Sequence, residues 1–167
     1  MPIIRNGEVL YPAPQWVKEL VWMYFGAWNC IAEDEKTAEL LANLVTSSRF
    51  KGRFETPYTG PEQLLHIARK RANAFYDGRF HVRAEDIFIN DEGLVVVYLL
   101  FKGMYQGQAL PKEALGQVVS LHWRAYYALL WENRRWKLDG LYSVRDKHEM
   151  LTQLGVPDWQ GEANGEF

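Results

Sequence analysis

The feature that most constrains this chain is its second half, where the segments between Gly78 and Val144 read as β-strands rich in β-branched and aromatic residues. The runs "RFHVRAEDIFIN", "LVVVYLLFKGMYQG", "VVSLHWRAYYALLWE" and "RWKLDGLYSV" are separated by the turn "NDEG", the loop "QALPKEALGQ" and a tight turn at Asn133-Arg134. Such a series predicts a meander of long antiparallel strands. The first half reads differently. Val17, Leu20, Val21, Tyr24, Trp28 and Ile31 recur at helical spacing between Pro14 and Ala32, with Trp16, Met23, Ala27 and Cys30 on a second flank. Asp34 is placed to cap a second helix carrying Leu40, Leu41, Leu44 and Val45, ending near Ser48. "ETPYTGPEQ" is turn chemistry, and Pro61 opens a third helix to about Tyr76, with Leu64, Ala68, Ala72 and Phe75 on one face. Three helices followed by strands specify an α+β domain with the helices on one face of a curved sheet.

The length, 167 residues, suits one domain. We expect an N-terminal extension over residues 1–13, the domain over 14–157, and a flexible tail over 158–167. Aromatic residues make up 14% of the chain, with seven Trp and nine Tyr, more than a small core requires; the surplus fills a large interior or lines a cavity. Net charge is −2 with Lys and Arg scattered, which argues against nucleic acid as the main partner. Cys30 is the only cysteine, so no internal disulfide and no Cys/His metal cluster is expected, and a reducing compartment fits. The most apolar helix, from Trp16 to Ala32, is interrupted by Lys18, Glu19 and Asn29, so no membrane span or signal peptide is expected and the reading is cytoplasmic.

If Asn133-Arg134 closes a two-residue hairpin, Trp131 lies opposite Trp136, Leu129 opposite Leu138, Tyr127 opposite Gly140, Ala125 opposite Tyr142 and Trp123 opposite Val144. One face then collects Trp123, Tyr127, Leu129, Leu138, Tyr142 and Val144, and the same alternation puts Asp146 on it. The other face carries His122, Arg124, Tyr126, Ser143 and Arg145. Gly140 leaves room for a ring or ligand over the sheet, or marks a bulge. "DKHE" is also a capping-box pattern, with Asp146 as N-cap and Glu149 three residues on, so the carboxylate is either a helix cap or one end of an aromatic concavity.

The chain resembles the SnoaL-like polyketide cyclases of the NTF2-like, ketosteroid-isomerase-like superfamily. The resemblance lies in Tyr142, Ser143-Val144-Arg145, Asp146 and the closing "MLTQLG", and upstream in "TGPEQLL", "YDGRFHVRAEDIFINDEGLVVV" and "KGMYQGQ", spanning roughly Trp16 to Val156. It implies a cone-shaped NTF2-like, cystatin-like fold with a pocket between helices and sheet, and a homodimer through the outer sheet face. It also implies no cofactor, and Asp146 as general acid/base in ring closure of an apolar, polyketide-like carbonyl compound. Trp123, Tyr127, Tyr142, Tyr105, Tyr24 and Trp28 are the candidate pocket residues, and the tyrosine hydroxyls could donate to an enolate oxygen. Tyr105 stands where many relatives carry His, and "NRRW" replaces their usual Asp-Gly turn. The rival reading is a non-catalytic module that binds a small apolar ligand or serves as a dimeric accessory.

Overall fold

A computed structural model describes residues 1–51, 57–162 and 166. The chain opens with a hairpin, β1 (Ile3–Arg5) and β2 (Glu8–Pro12), then α1 (Gln15–Cys30), α2 (Glu35–Val45), β3 (Thr46–Lys51) and α3 (Pro61–Ala74). It continues through β4 (Phe75–His81), β5 (Ile87–Asn90), β6 (Val95–Tyr105), β7 (Val118–Glu132) and β8 (Arg135–Val144) to α4 (Lys147–Gln153). The eight strands form one sheet in the order β1-β2-β5-β6-β7-β8-β3, with β4 also paired to β6. All pairs are antiparallel except β3 with β8. The α+β layout read from the sequence is the one observed.

Local chemistry explains the helix ends. Asp34 accepts from the Thr37 amide at 3.1 Å and from Thr37 Oγ1 at 2.7 Å, satisfying one of the orphan donors at the start of α2. Gly60 precedes Pro61 with φ of +70°, and a Cβ there would lie 2.7 Å from the Ser48 carbonyl oxygen, so only glycine fits. The second helix ends three residues earlier than expected, because Thr46 turns extended and starts β3. Its buried side is Ala38, Ala42 and Val45, while Leu40 faces solvent.

The expected single strand "RFHVRAEDIFIN" is two strands separated by a short 3-10 turn, Ala84–Asp86. Asp86 explains the break, since it takes Arg83 Nε at 2.8 Å and Arg5 Nη1 at 3.1 Å. Strands β4 and β5 then pair successive parts of one edge of β6, up to Leu100 and from Val97, leaving Tyr98 and Leu99 without a strand partner on that edge. Residues 1–13, expected as an extension, instead join the sheet through Leu10 opposite Asn90. Of the expected flexible tail, residues 163–165 and 167 lie outside the described residues, and Glu166 accepts hydrogen bonds from the Tyr105 hydroxyl and the Gln108 amide.

The main core lies between the helices and the inner sheet face and includes Tyr24, Phe25, Leu64, Phe75, Phe101, Trp123, Tyr127 and Leu138. A second cluster, Leu10, Phe88, Val96 and Tyr126, lies on the opposite face. There the N-terminal hairpin reaches across the sheet: Asn6 Nδ2 donates to the Tyr98 hydroxyl at 3.0 Å, and the Tyr126 hydroxyl donates to Glu8 at 2.8 Å.

One irregularity decides the site. The pairs Trp131 with Trp136 and Leu129 with Leu138 form as expected, but Ala128 then pairs with Gly140, Tyr126 with Tyr142 and Arg124 with Val144. Asp139 is the extra residue, a β-bulge, and its carboxylate accepts from Ser47 Oγ at 2.8 Å and from Arg49 Nε and Nη2 at 2.9 and 2.8 Å on β3. The parallel strand thus holds the bulge in place. Beyond a one-residue bulge every side chain changes face. Tyr142 and Val144, expected on the aromatic face, are turned outward, and Ser143 and Arg145, expected outside, are turned in.

Candidate functional site: an aromatic cavity and the cleft beside it

Helix α1 supplies Tyr24, Phe25 and Trp28, β4 supplies Phe80, and β7 supplies Trp123 and Tyr127 to one interior cluster of rings. Tyr24 meets Tyr127 edge-on at 5.0 Å between centroids, Trp28 meets Phe80 at 5.3 Å, and Phe80 meets Trp123 at 5.3 Å. Edge-on and tilted contacts are the arrangements that ring quadrupoles favour. The rings do not close completely. They leave a cavity of about 40 Å³, also bordered by Arg71, Leu99, Ala125, Ser143 and Arg145.

Arg71 follows Arg69 and Lys70 on α3 in a basic run that would ordinarily face solvent. It is only 4% exposed, and its guanidinium lies over Trp123 at 4.9 Å and Phe101 at 5.3 Å. The signal was present in the sequence: Arg71 is seven residues after Leu64, on the same stripe of α3. Arg145 lies over Trp123 at 5.3 Å. Burial and the Arg145 charge both push the Arg71 pKa well down from the usual arginine value. The cation–π contacts offset part of the cost of burying this charge.

The hydroxyls beside these arginines keep their protons through the usual pH range and so do not act as phenolate bases. Burial pushes the Tyr24 pKa up to about 12, and burial with the neighbouring Tyr24 pushes Tyr127 well above its usual value. Tyr24 lies close enough to Trp28 and Tyr127 to interact with both, though not at good hydrogen-bond geometry, and Arg71 Nε and Nη1 are buried without a hydrogen-bond partner among the described residues.

Four of the six expected pocket residues, Tyr24, Trp28, Trp123 and Tyr127, therefore meet at one cavity. Tyr142 does not. It is 54% exposed and stacks on Tyr126 outside the sheet, because of the bulge at Asp139. Tyr105 is buried elsewhere: it packs on Phe75, donates to Glu166 and accepts from the Leu110 amide at 3.0 Å. Asp146, placed on the aromatic face by strict alternation, is exposed and accepts from the Glu149 amide at 3.0 Å as the N-cap of α4.

A larger open cleft of about 1200 Å³ adjoins this cavity and shares Leu99, Trp123 and Arg145 with it as common walls. Asp146, His122 and His148 border the cleft, together with Tyr98 at the unpaired stretch of β6. Ligand pockets commonly measure about 300–1,000 Å³, so the cleft has room for a small molecule and the cavity alone only for a few atoms. Among the described residues no three His, Cys, Asp or Glu side chains stand together to hold a metal ion. Cys30 is half-buried, and burial with the nearby Asp34 pushes its thiol pKa up, which disfavours the thiolate. No described helix is long and apolar enough to cross a membrane.

No protein-family model matches the chain, and no curated protein is similar to it. Solved structures are. TsrD from Streptomyces laurentii superimposes with a TM-score of 0.66 at 16% identity, covering 86% of this chain and 98% of that one. A SnoaL-like polyketide cyclase from Agrobacterium tumefaciens gives 0.61 at 19% identity, covering 83% and 98%. An NTF2-like protein from Exiguobacterium gives 0.59 at 16%, covering 77% and 98%. The fold is NTF2-like. It is the fold of the SnoaL-like cyclases and of ketosteroid-isomerase-like proteins, with the helices closing a curved sheet into a cone. At these identities the NTF2-like likeness establishes architecture, and chemistry has to be argued from the side chains.

Proposed function

We propose that this chain binds a small, mostly apolar carbonyl or carboxyl compound, whose body lies in the cleft and whose polar end enters the aromatic cavity between Trp28, Trp123 and Tyr127. The observation that carries this reading is the shared wall of Leu99, Trp123 and Arg145 between a cleft of ligand size and a cavity lined by rings. Binding without turnover is favoured over the acid/base cyclase reading. The residues that line the cavity include no carboxylate and no histidine, and its tyrosines hold their protons. A cyclase or isomerase reading keeps one supporting observation, the position of Asp146 beside His122 and His148 at the rim of the cleft.

Titrating the protein with 2-acetylnaphthalene while following tryptophan fluorescence tests the proposal. Quenching that saturates, and that Leu99→Trp abolishes by crowding the wall shared by cleft and cavity, is expected. Absence of any saturable signal overturns the binding reading. Conversion of a cyclisable polyketone by the wild type, lost in Asp146→Asn, would replace it with the acid/base one. A homodimer through the outer face and a cytoplasmic location belong to the same proposal. Tyr142 and Val144 are exposed on that face, although the N-terminal hairpin already covers Tyr126, which was counted in the expected interface. Sedimentation showing monomer alone at micromolar concentration would remove the dimer.

A further inference from the structure

Among the described residues five buried side-chain polar atoms lack a hydrogen-bond partner of good geometry, and four of them, Tyr24 Oη, Trp28 Nε1, and Arg71 Nε and Nη1, belong to residues lining this interior cavity; Tyr24 lies close enough to Trp28 and Tyr127 to interact with both, so the two Arg71 nitrogens are the ones that call for an occupant. Folded proteins rarely leave such atoms unsatisfied, because each forfeits a hydrogen bond that water would have made. The indole and guanidinium nitrogens can only donate, and a protonated tyrosine donates readily. An occupant that satisfies them must present acceptors. Arg71 adds a charge: it is 4% exposed and makes no ion pair among the described residues. A buried, unpaired cation is costly unless an anion completes it.

The cleft points the same way. Its walls carry five basic residues against two acidic ones on a chain whose net charge is −2. One of those two acids, Asp86, is already paired with Arg5 and Arg83. A positive cleft beside a donor-lined cavity concentrates and orients anions.

We propose that the cavity between Tyr24, Trp28, Arg71 and Arg145 is a carboxylate-binding site, and that the ligand is an aromatic or polyene carboxylic acid whose head enters the cavity while its apolar body lies in the cleft. The size limits the head group. A water needs about 10–15 Å³, so about 40 Å³ has room for a trigonal carboxylate or a few waters. A guanidinium is a strong, always charged donor to a carboxylate, and both buried Arg71 nitrogens are free to donate to one. This inference rests on the binding reading for the body of the ligand, but the head-group site stands on its own donors.

The test uses the full chain. Calorimetry compares 2-naphthoate with the uncharged, near-isosteric 2-naphthamide on the wild type and on Arg71→Met. In parallel, the Arg71 Nε–H resonance is followed by NMR in the wild type during titration with formate, which needs no cleft. Naphthoate is expected to bind at least tenfold more tightly than the amide, Arg71→Met to erase that preference, and formate to move the Arg71 resonance saturably. Arg71→Met removes a buried charge and fills its space with an apolar chain, a change that buried charges commonly tolerate. The formate titration also works if that variant fails to fold. Equal affinity for acid and amide in the wild type, with no formate response, overturns the carboxylate site and leaves the binding reading intact; Arg71 is then a structural cation held by its rings. A formate response without binding of either naphthalene compound supports the carboxylate site and overturns the reading of the cleft.

Discussion

Tyr126 and Tyr142 stack on the outer face of the sheet with ring centroids 4.7 Å apart and planes inclined by 17°. The pair exists because Asp139 bulges out of β8. Without the bulge Tyr142 would oppose Ala125 and point among the interior rings. Tyr142→Ala is therefore expected to lower unfolding free energy by only about 0.5–1.5 kcal/mol, the worth of an aromatic pair, and to leave ligand affinity unchanged. Trp123→Ala, in the interior, is expected to cost about 3–5 kcal/mol. Urea unfolding and naphthoate binding of the two variants check both statements. A tenfold loss of affinity in Tyr142→Ala would place that ring in the pocket after all.

Asp146 is the N-cap of α4. Replacing it by Ala is expected to cost about 0.5–2 kcal/mol, and by Ser much less, since a hydroxyl can also accept from the Glu149 amide. Equal destabilisation by the two replacements in urea would count against the capping role.

Acid should weaken the joint between β3 and β8 in a defined direction. The Arg49 guanidinium beside Asp139 holds its carboxyl below the usual 3.8, and hydrogen bonds from Ser48 hold Glu132 below 4.5. Both folded-state values lie under the unfolded ones, so the stabilisation is complete above about the ordinary values and is lost as pH falls through the lowered ones. Asp139→Asn should be less stable than wild type at pH 7, with the gap closing toward pH 3. A constant gap across that range would show that the Arg49 pair carries no pH-dependent stability.

Tyr105 ties the C-terminal segment to the loop after β6. Burial, followed by its bond to Glu166, pushes its pKa up to about 12, so it remains a donor throughout the usual pH range. Tyr105→Phe leaves the Leu110 amide without its acceptor and is expected to cost about 1–3 kcal/mol. Hydrogen exchange at the Leu110 amide should accelerate, while naphthoate affinity stays as in the wild type. A lost affinity would assign Tyr105 to the ligand site instead.

The α+β class, the helix caps at Asp34 and Asp146, and the inward set Tyr24, Trp28, Trp123 and Tyr127 follow from the sequence alone. Each depends on periodicity or on a bond between neighbours in the chain, and both are local. The facing of Tyr142, Ser143, Arg145 and Asp146 depends on one extra residue in β8. That residue is held by Ser47 and Arg49, about ninety positions away in the chain, and strand alternation carries no trace of such a partner. Arg71 lay on a legible stripe of α3, but a charged residue there reads as solvated until the sheet closes over it and no carboxylate arrives to meet it. The sequence by itself thus determined the layers and most of the rings that face inward. Only the tertiary structure decided which charges join those rings, because burial and strand register are set by distant partners.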